Sequence, residues 1–111
     1  MNYDIEIVES FKKDVKKLQK KFKNIKSDII KFSQNIYENL LKAVSLGGNY
    51  YKVRISNSSI PTDKSSGFRI VLLLVVDEKI VLLRIYSKTE KENLTDEEFQ
   101  NLFTLYKSGK I

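Results

Sequence analysis

The sequence of 111 residues contains no cysteine and no histidine, and it has only one proline and four glycines. Without cysteine there are no disulfide bonds or thiolate metal sites, a composition typical of a reducing cytoplasm. Without histidine, acid–base chemistry would need a lysine with a lowered pKa, a tyrosine or a carboxylate. Because so few residues interrupt the backbone, we expect long regular helices and strands.

Length and hydropathy predict one globular domain over residues 1–111. Apolar residues make up 41% of the chain, which is typical of a folded protein. No run approaches the roughly 18 apolar residues that a membrane span needs, so no membrane is expected as a partner. The acidic N-terminal segment also lacks the pattern of a signal peptide, and we therefore expect a cytoplasmic protein.

The net charge of +6 comes from two separate basic regions. Residues 11–31 contain nine lysines and two aspartates, and residues 52–91 contain eight basic and four acidic residues. Regions of this kind favour a polyanionic partner, although a lysine-rich helix is most often simply a solvated face.

The first part of the chain predicts a strand and then a helix. Apolar and polar residues alternate over residues 2–8, which is the period of a half-buried strand. From Phe11 to Ile25 apolar residues recur every three or four positions, which places them on one helical face. Ser10 is the expected N-cap of this helix.

A second helix is predicted over residues 27–44. Ser27 would cap its N-terminus, Val44 would face inward, and Gly47 and Gly48 would end it. Together with the preceding helix it would form an N-terminal helical hairpin.

The remaining sequence predicts three strands and a final helix. Residues 50–55 predict a short strand. Residues 69–76 and 80–86 are mostly apolar and lack alternation, so they should be central strands buried on both faces. Thr95 and Glu98 have the spacing of a capping box at the start of a C-terminal helix. The fold class predicted is α+β, with an antiparallel or mixed sheet of about four strands, the N-terminal helical hairpin and the C-terminal helix.

Basic residues lie at the ends of the predicted strands. Because side chains alternate faces, Lys52 and Arg54 share one face of their strand. If the strands are neighbours, these residues and others of the same parity converge near one end of the sheet, where we expect them to be exposed. The predicted patch contains Lys52, Arg54, Arg69, Arg84, Tyr86 and Lys88, with Lys64 and Lys91 at its rim.

Such a patch fits RNA better than DNA. The sequence shows no recognition helix, and no aromatic pair of the kind that stacks bases on a sheet. Arginine and lysine beside a scissile phosphate neutralise its oxygens and stabilise the charge that develops in the transition state. The acidic residues Asp63, Glu90 and Glu92 are too scattered for a metal site, so neither a metal nor a cofactor is expected.

Three segments, in this order and spacing, resemble the RelE/ParE superfamily of type II toxin–antitoxin systems. They are K-x-R at 52–54, K-S-S-G-F-R at 64–69 and I-Y-S-K-T-E-K at 85–91. The chain looks most similar to the RelE/HigB-like branch of mRNA-cleaving toxins. This resemblance implies a metal-independent endoribonuclease, usually acting on mRNA in the ribosome, and a cognate antitoxin as partner.

The resemblance also assigns residues to the site. The implied reaction is attack of a ribose 2′-hydroxyl on the adjacent phosphate. The predicted catalytic residues are Lys52, Arg54, Arg69 and Lys88, and the predicted RNA-binding residues are Lys64, Arg84, Tyr86 and Lys91. Tyr106 lies in the apolar pattern of the last helix, so no base-stacking role is carried over to it. We further hypothesise that Lys13, Lys17 and Lys20 contact ribosomal RNA.

Two alternatives stay open at the level of sequence. ParE-type members of the same superfamily inhibit DNA gyrase and cleave no RNA. The chain could also be a non-catalytic basic module that binds nucleic acid, because lysines at strand ends commonly serve only solubility.

Overall fold

The computed structural model describes residues 3–60, 67–75, 78–88, 95, 97, 98, 100 and 101. Within these residues the chain forms five strands and three helices with defined bounds, and a further helical segment near the C-terminus. In chain order they are β1 (Asp4–Ile7), α1 (Glu9–Gln19), α2 (Ile25–Gln34), α3 (Ile36–Leu41), β2 (Val44–Gly47), β3 (Tyr50–Ile55), β4 (Phe68–Val75) and β5 (Lys79–Ser87). The α+β class is confirmed, but the sheet has five strands rather than about four. No helix in the described part of the chain is long and apolar enough to cross a membrane.

The five strands form one mixed sheet in the order β1-β5-β4-β3-β2. β1 pairs with β5 in parallel, and the other neighbours pair antiparallel. β4 and β5 are therefore central, and the residues from Phe68 to Leu73 are all buried. This confirms the prediction of central strands covered on both faces.

Helix α1 covers the part of the β5 edge that β1 leaves open. β1 pairs with residues 79–82, and no other strand in the described part of the chain pairs with β5 beyond Leu82 on that side. There the Ser10 hydroxyl donates to the Leu83 carbonyl at 2.7 Å, and an Asp14 carboxylate oxygen accepts from the Ile85 amide at 3.0 Å. Two side chains of α1 thus form the hydrogen bonds that a neighbouring strand would otherwise make with the backbone of β5.

The same contact corrects the predicted start of α1. The helix begins at Glu9 with Val8 in the N-cap position and no side-chain cap. Ser10 is not the N-cap, because its hydroxyl bonds to β5 instead. The predicted apolar face is confirmed within α1, where Phe11 and Leu18 are buried in the core, but its predicted extent to Ile25 is wrong because α1 ends at Gln19 and Ile25 begins α2.

The helices cover the face of the sheet that carries Phe68. The ring of Phe22, just after α1, meets Phe68 edge-on with centroids 5.4 Å apart. Since strand residues alternate faces, Phe68 and Ile70 point toward the helices while Arg69 points to the opposite face. This alternation fixes which side of the sheet carries the basic residues.

The single helix predicted over residues 27–44 is wrong. α2 begins at Ile25 rather than at a Ser27 cap, and it ends at Gln34. Asn35 then departs from helical geometry, with its side-chain amide donating to the Lys31 carbonyl at 2.9 Å. An asparagine amide competes in this way with backbone hydrogen bonds and interrupts a helix.

The residues after α3 form a strand instead of the end of a helix. Val44 begins β2 and is 58% exposed, so its predicted inward orientation is wrong. Gly47 and Gly48 have φ angles of 107° and 57° and make the turn between β2 and β3. Left-handed φ values suit glycine equally in a tight turn and after a helix, which is why the sequence pattern misled.

The capping box near the C-terminus is confirmed. The Thr95 amide donates to a Glu98 carboxylate oxygen at 2.9 Å, and the Glu98 amide donates to the Thr95 hydroxyl at 3.1 Å. Residues 97, 98, 100 and 101 are helical, as the box predicts.

Candidate functional site

Three of the predicted site residues form a direct row across the sheet. Arg54 on β3 lies opposite Arg69 on β4, and Arg69 lies opposite Tyr86 on β5. Side chains in such pairs have Cβ atoms about 5 Å apart on the same face. Like charges directly opposite one another destabilise a sheet, so this row is better suited to holding an anion than to stability.

Two more basic residues flank this row. Lys52 lies two residues before Arg54 on β3, opposite Val71, and therefore shares the face of Arg54 and Arg69. Lys88 follows β5 directly, and its amide donates to the Gly67 carbonyl at 3.2 Å. That hydrogen bond holds Lys88 beside the start of β4, close to Arg69. The register thus confirms that Lys52, Arg54 and Arg69 share one face of the sheet, and Lys88 lies just beyond the end of β5.

The predicted exposure of these residues is correct for only some of them. Arg54 is exposed and Lys52 and Lys88 are half-buried, but Arg69 is only 5% exposed. Its guanidinium donates to the Gly67 carbonyl at 3.3 Å. Arg69 is buried because β4 is a central strand covered on both faces. It is therefore a fixed, partly desolvated cation, while Arg54 is the accessible one.

These side chains open into a groove with a volume of about 930 Å³. Lys52, Arg54, Arg69 and Lys88 all line it, and residues of α2 and α3 form a second wall beyond the end of β3. We call it the cationic groove. The wall adds two lysines and two carboxylates that the sequence analysis did not assign to the site, namely Lys31, Lys42, Asp28 and Glu38.

Hydrogen bonds between α2 and the loop after β3 fix this wall. The buried Asp28 accepts from the Ser58 amide at 3.1 Å, and the Ser59 hydroxyl accepts from the Asn24 amide at 2.9 Å. α2 is thereby held at a set distance from the end of β3. A carboxylate within the apolar pattern of α2 was the one sequence signal of this contact.

Arg84 has a different environment from the other basic residues. Its guanidinium forms two hydrogen bonds with the Asp14 carboxylate, at 2.7 and 3.1 Å, and lies 3.8 Å from a Glu98 carboxylate oxygen. The hydrogen bond to Asp14 raises the pKa of Arg84 above its ordinary value, and both carboxylates add to this against the opposing effect of burial. Arg84 joins α1, β5 and the C-terminal segment, and it does not line the cationic groove.

The other predicted residues are placed as follows. Tyr86 is buried in the row with Arg69. Lys64, Lys91 and Tyr106 lie outside the described residues. The three lysines assigned to ribosomal RNA are exposed and do not line the cationic groove; they are Lys13 and Lys17 of α1 and Lys20 just after it. In the described part of the chain, no three carboxylates cluster closely enough to hold a metal ion.

Comparisons with known proteins identify the family of this chain. No curated protein matches the sequence. One similar solved structure is that of E. coli toxin RelE in the free state, with two arginines replaced by alanine. The two structures match with a TM-score of 0.54 and 16% sequence identity, and the match covers 83% of this chain and 90% of the E. coli chain. At that identity the likeness shows the fold alone. The family model of the RelE toxin of the RelE/RelB toxin–antitoxin system matches residues 9–109, and the chain therefore belongs to the RelE toxin family.

Proposed function

We propose that this protein is a toxin that cleaves mRNA in the cationic groove, on the translating ribosome in the cytoplasm. The observation that carries the proposal is the cross-strand row of Arg54, Arg69 and Tyr86, with Lys52 and Lys88 beside it. Membership of the RelE family supports the reaction class, since toxins of this family are mRNA-cleaving ribonucleases.

The proposed chemistry needs no group beyond the side chains of the groove. The 2′-oxygen of a ribose attacks the adjacent phosphorus, a new P–O bond forms, and the bond to the 5′-oxygen of the next nucleotide breaks. The products are a 2′,3′-cyclic phosphate and a 5′-hydroxyl end. Arg54 and Arg69 lie on neighbouring strands and would bind the non-bridging oxygens, where negative charge increases in the transition state.

Proton transfer would fall to other residues of the same groove. A base must take the proton of the 2′-hydroxyl, and an acid must give one to the leaving 5′-oxygen. Lys52 and Lys88 supply ammonium groups beside the arginine row, and Glu38 supplies an exposed carboxylate on the wall formed by α2 and α3. The groove thus contains two of the three kinds of group that a protein without histidine has for this task, lysines and carboxylates.

The ribosome and an antitoxin are the proposed partners. Lys13 and Lys17 of α1, with Lys20 just after it, are exposed and do not line the cationic groove, which would let ribosomal RNA hold the toxin while the groove takes mRNA. Toxins of the RelE family pair with an antitoxin, and this chain would be neutralised by its own.

The test is to add the purified protein to a translation extract that lacks antitoxin and to map mRNA ends. New 5′-hydroxyl ends within translated codons are expected, and they should be absent when ribosomes are removed. Intact mRNA on active ribosomes would refute the proposal. DNA gyrase inhibition without RNA cleavage would point instead to the ParE-type activity.

A further inference from the structure

A second groove lies on the other side of α2, between α1, α2 and the end of β1. Its volume is about 530 Å³, and none of its lining residues also lines the cationic groove. We call it the helix groove. Helical periodicity explains the separation, because Ile29 and Ile30 point into the helix groove while Lys31 and Phe32 point into the cationic groove.

The floor of the helix groove is apolar. Phe11 and Ile29 form its buried base and Val15 is half-buried beside them. Ile7 and Ile30 stand at its edges and remain 41% and 57% exposed. Large apolar side chains that converge on one concave surface mark an interaction site more often than scattered ones do.

The rim of the same groove is basic. Lys12 and Lys16 line it from α1, and Lys26 lines it from α2. All three are exposed, and no carboxylate among the described residues lines this groove. The ligand that fits is therefore apolar along its centre and acidic on both flanks.

We propose that the helix groove is the docking site of an acidic amphipathic helix of the antitoxin. Such a helix would place apolar residues at helical spacing on Phe11, Ile29 and Ile30, and its carboxylates beside the lysine rim. The inference rests on the chain's being a toxin with an antitoxin, and it does not depend on cleavage of RNA. It separates the surface that holds the antitoxin from the groove in which chemistry would occur.

The charge of the helix groove argues against a second copy of this chain or RNA as its ligand. A second copy of this chain would bring its own lysine-rich α1 region, residues 11–31, against the same lysines. RNA would be attracted by the rim, but its phosphates would not fill an apolar floor. An acidic amphipathic helix satisfies both parts of the groove.

The test uses the full-length chain and the small protein encoded by the reading frame next to its gene. Ile30→Glu should weaken their affinity about 100-fold, because it places a carboxylate among apolar contacts and opposite acidic ones. Leu41→Glu is the matched control, since Leu41 is 71% exposed and lines neither groove. Its affinity should stay within about twofold of that of the unchanged protein.

A second pair of variants tests the rim without touching the apolar floor. Lys16→Glu should weaken binding about tenfold at low salt, whereas Lys23→Glu, an exposed lysine outside both grooves, should change it little. Cleavage of mRNA should be unchanged in all four variants. If the unchanged chain does not bind the neighbouring protein, or if Ile30→Glu and Lys16→Glu bind as tightly as their controls, the proposal is wrong. It is also wrong if these variants lose ribosome binding and keep their affinity for that protein.

Discussion

The cationic groove and the helix groove share one helix and differ in almost every other property. The cationic groove has arginine and lysine at its centre, on the strands of a rigid sheet. The helix groove has apolar side chains at its centre and lysines only at its rim. Charges at the centre of a groove suit chemistry on an anion, while an apolar centre suits docking of a protein. Under the two proposals above, catalysis and neutralisation would use different surfaces of this toxin.

The two periods of secondary structure create this division. The period of two in β3 and β4 gathers Lys52, Arg54 and Arg69 on one face of the sheet. The period of 3.6 in α2 sends neighbouring residues such as Ile30 and Lys31 to opposite sides of the helix. A change in one groove should therefore leave the other largely intact.

The largest expected effect is on cleavage. Lys52→Met keeps the apolar stem of a half-buried lysine and removes its charge, so folding should be preserved. We expect the rate of mRNA cleavage to fall by about 100-fold or more, the typical cost of removing one group that stabilises transition-state charge. Affinity for the antitoxin through the helix groove should not change. Cleavage rates and melting temperatures would be compared with those of Lys23→Met, whose lysine lies outside both grooves.

The second-largest expected effect is on stability, and it concerns the anchoring of α1, which lines the helix groove. Asp14→Asn weakens contacts with the Arg84 guanidinium and the Ile85 amide, and we expect a loss of about 2 kcal/mol in the free energy of unfolding. Glu6→Gln removes the exposed pair with Lys79 and should cost less than about 0.5 kcal/mol. Urea unfolding measures both. Equal losses in the two variants would show that Asp14 does not anchor α1.

The smallest expected effect separates the grooves by their response to salt. With about three phosphate contacts, raising salt from about 50 to about 200 mM should weaken binding of an uncleavable single-stranded RNA about 20-fold. Antitoxin binding should weaken only severalfold, because apolar contacts carry most of it. Titrations of both ligands over the same salt series test this. If the two affinities fell equally with salt, charged contacts would dominate binding in both grooves.

The sequence was sufficient for the elements whose periodicity is strong. Alternation placed Lys52 and Arg54 on one face of β3, and the register of the sheet confirms it. The apolar spacing of α1 and the capping box at Thr95 are also confirmed. In each case the signal lies within a few residues, so local physics decides the outcome.

The sequence was not sufficient where distant residues decide the structure. The interruption at Asn35 depends on a side-chain amide taking a helical carbonyl, which the apolar spacing of residues 27–44 does not reveal. The burial of the Arg69 side chain depends on what packs on both faces of β4. The α2 wall of the cationic groove depends on Asp28 meeting Ser58, thirty residues later in the chain.

The most direct test measures two properties in the same two variants. Arg54→Ala removes the exposed arginine of the cross-strand row, and Ile30→Glu alters the edge of the helix groove. Each folded variant is assayed for mRNA cleavage in a translation extract and for affinity to the neighbouring-gene protein. The account predicts that Arg54→Ala loses cleavage and keeps antitoxin affinity, while Ile30→Glu keeps cleavage and loses that affinity. Normal cleavage by Arg54→Ala, or loss of both properties together in either variant, would contradict it.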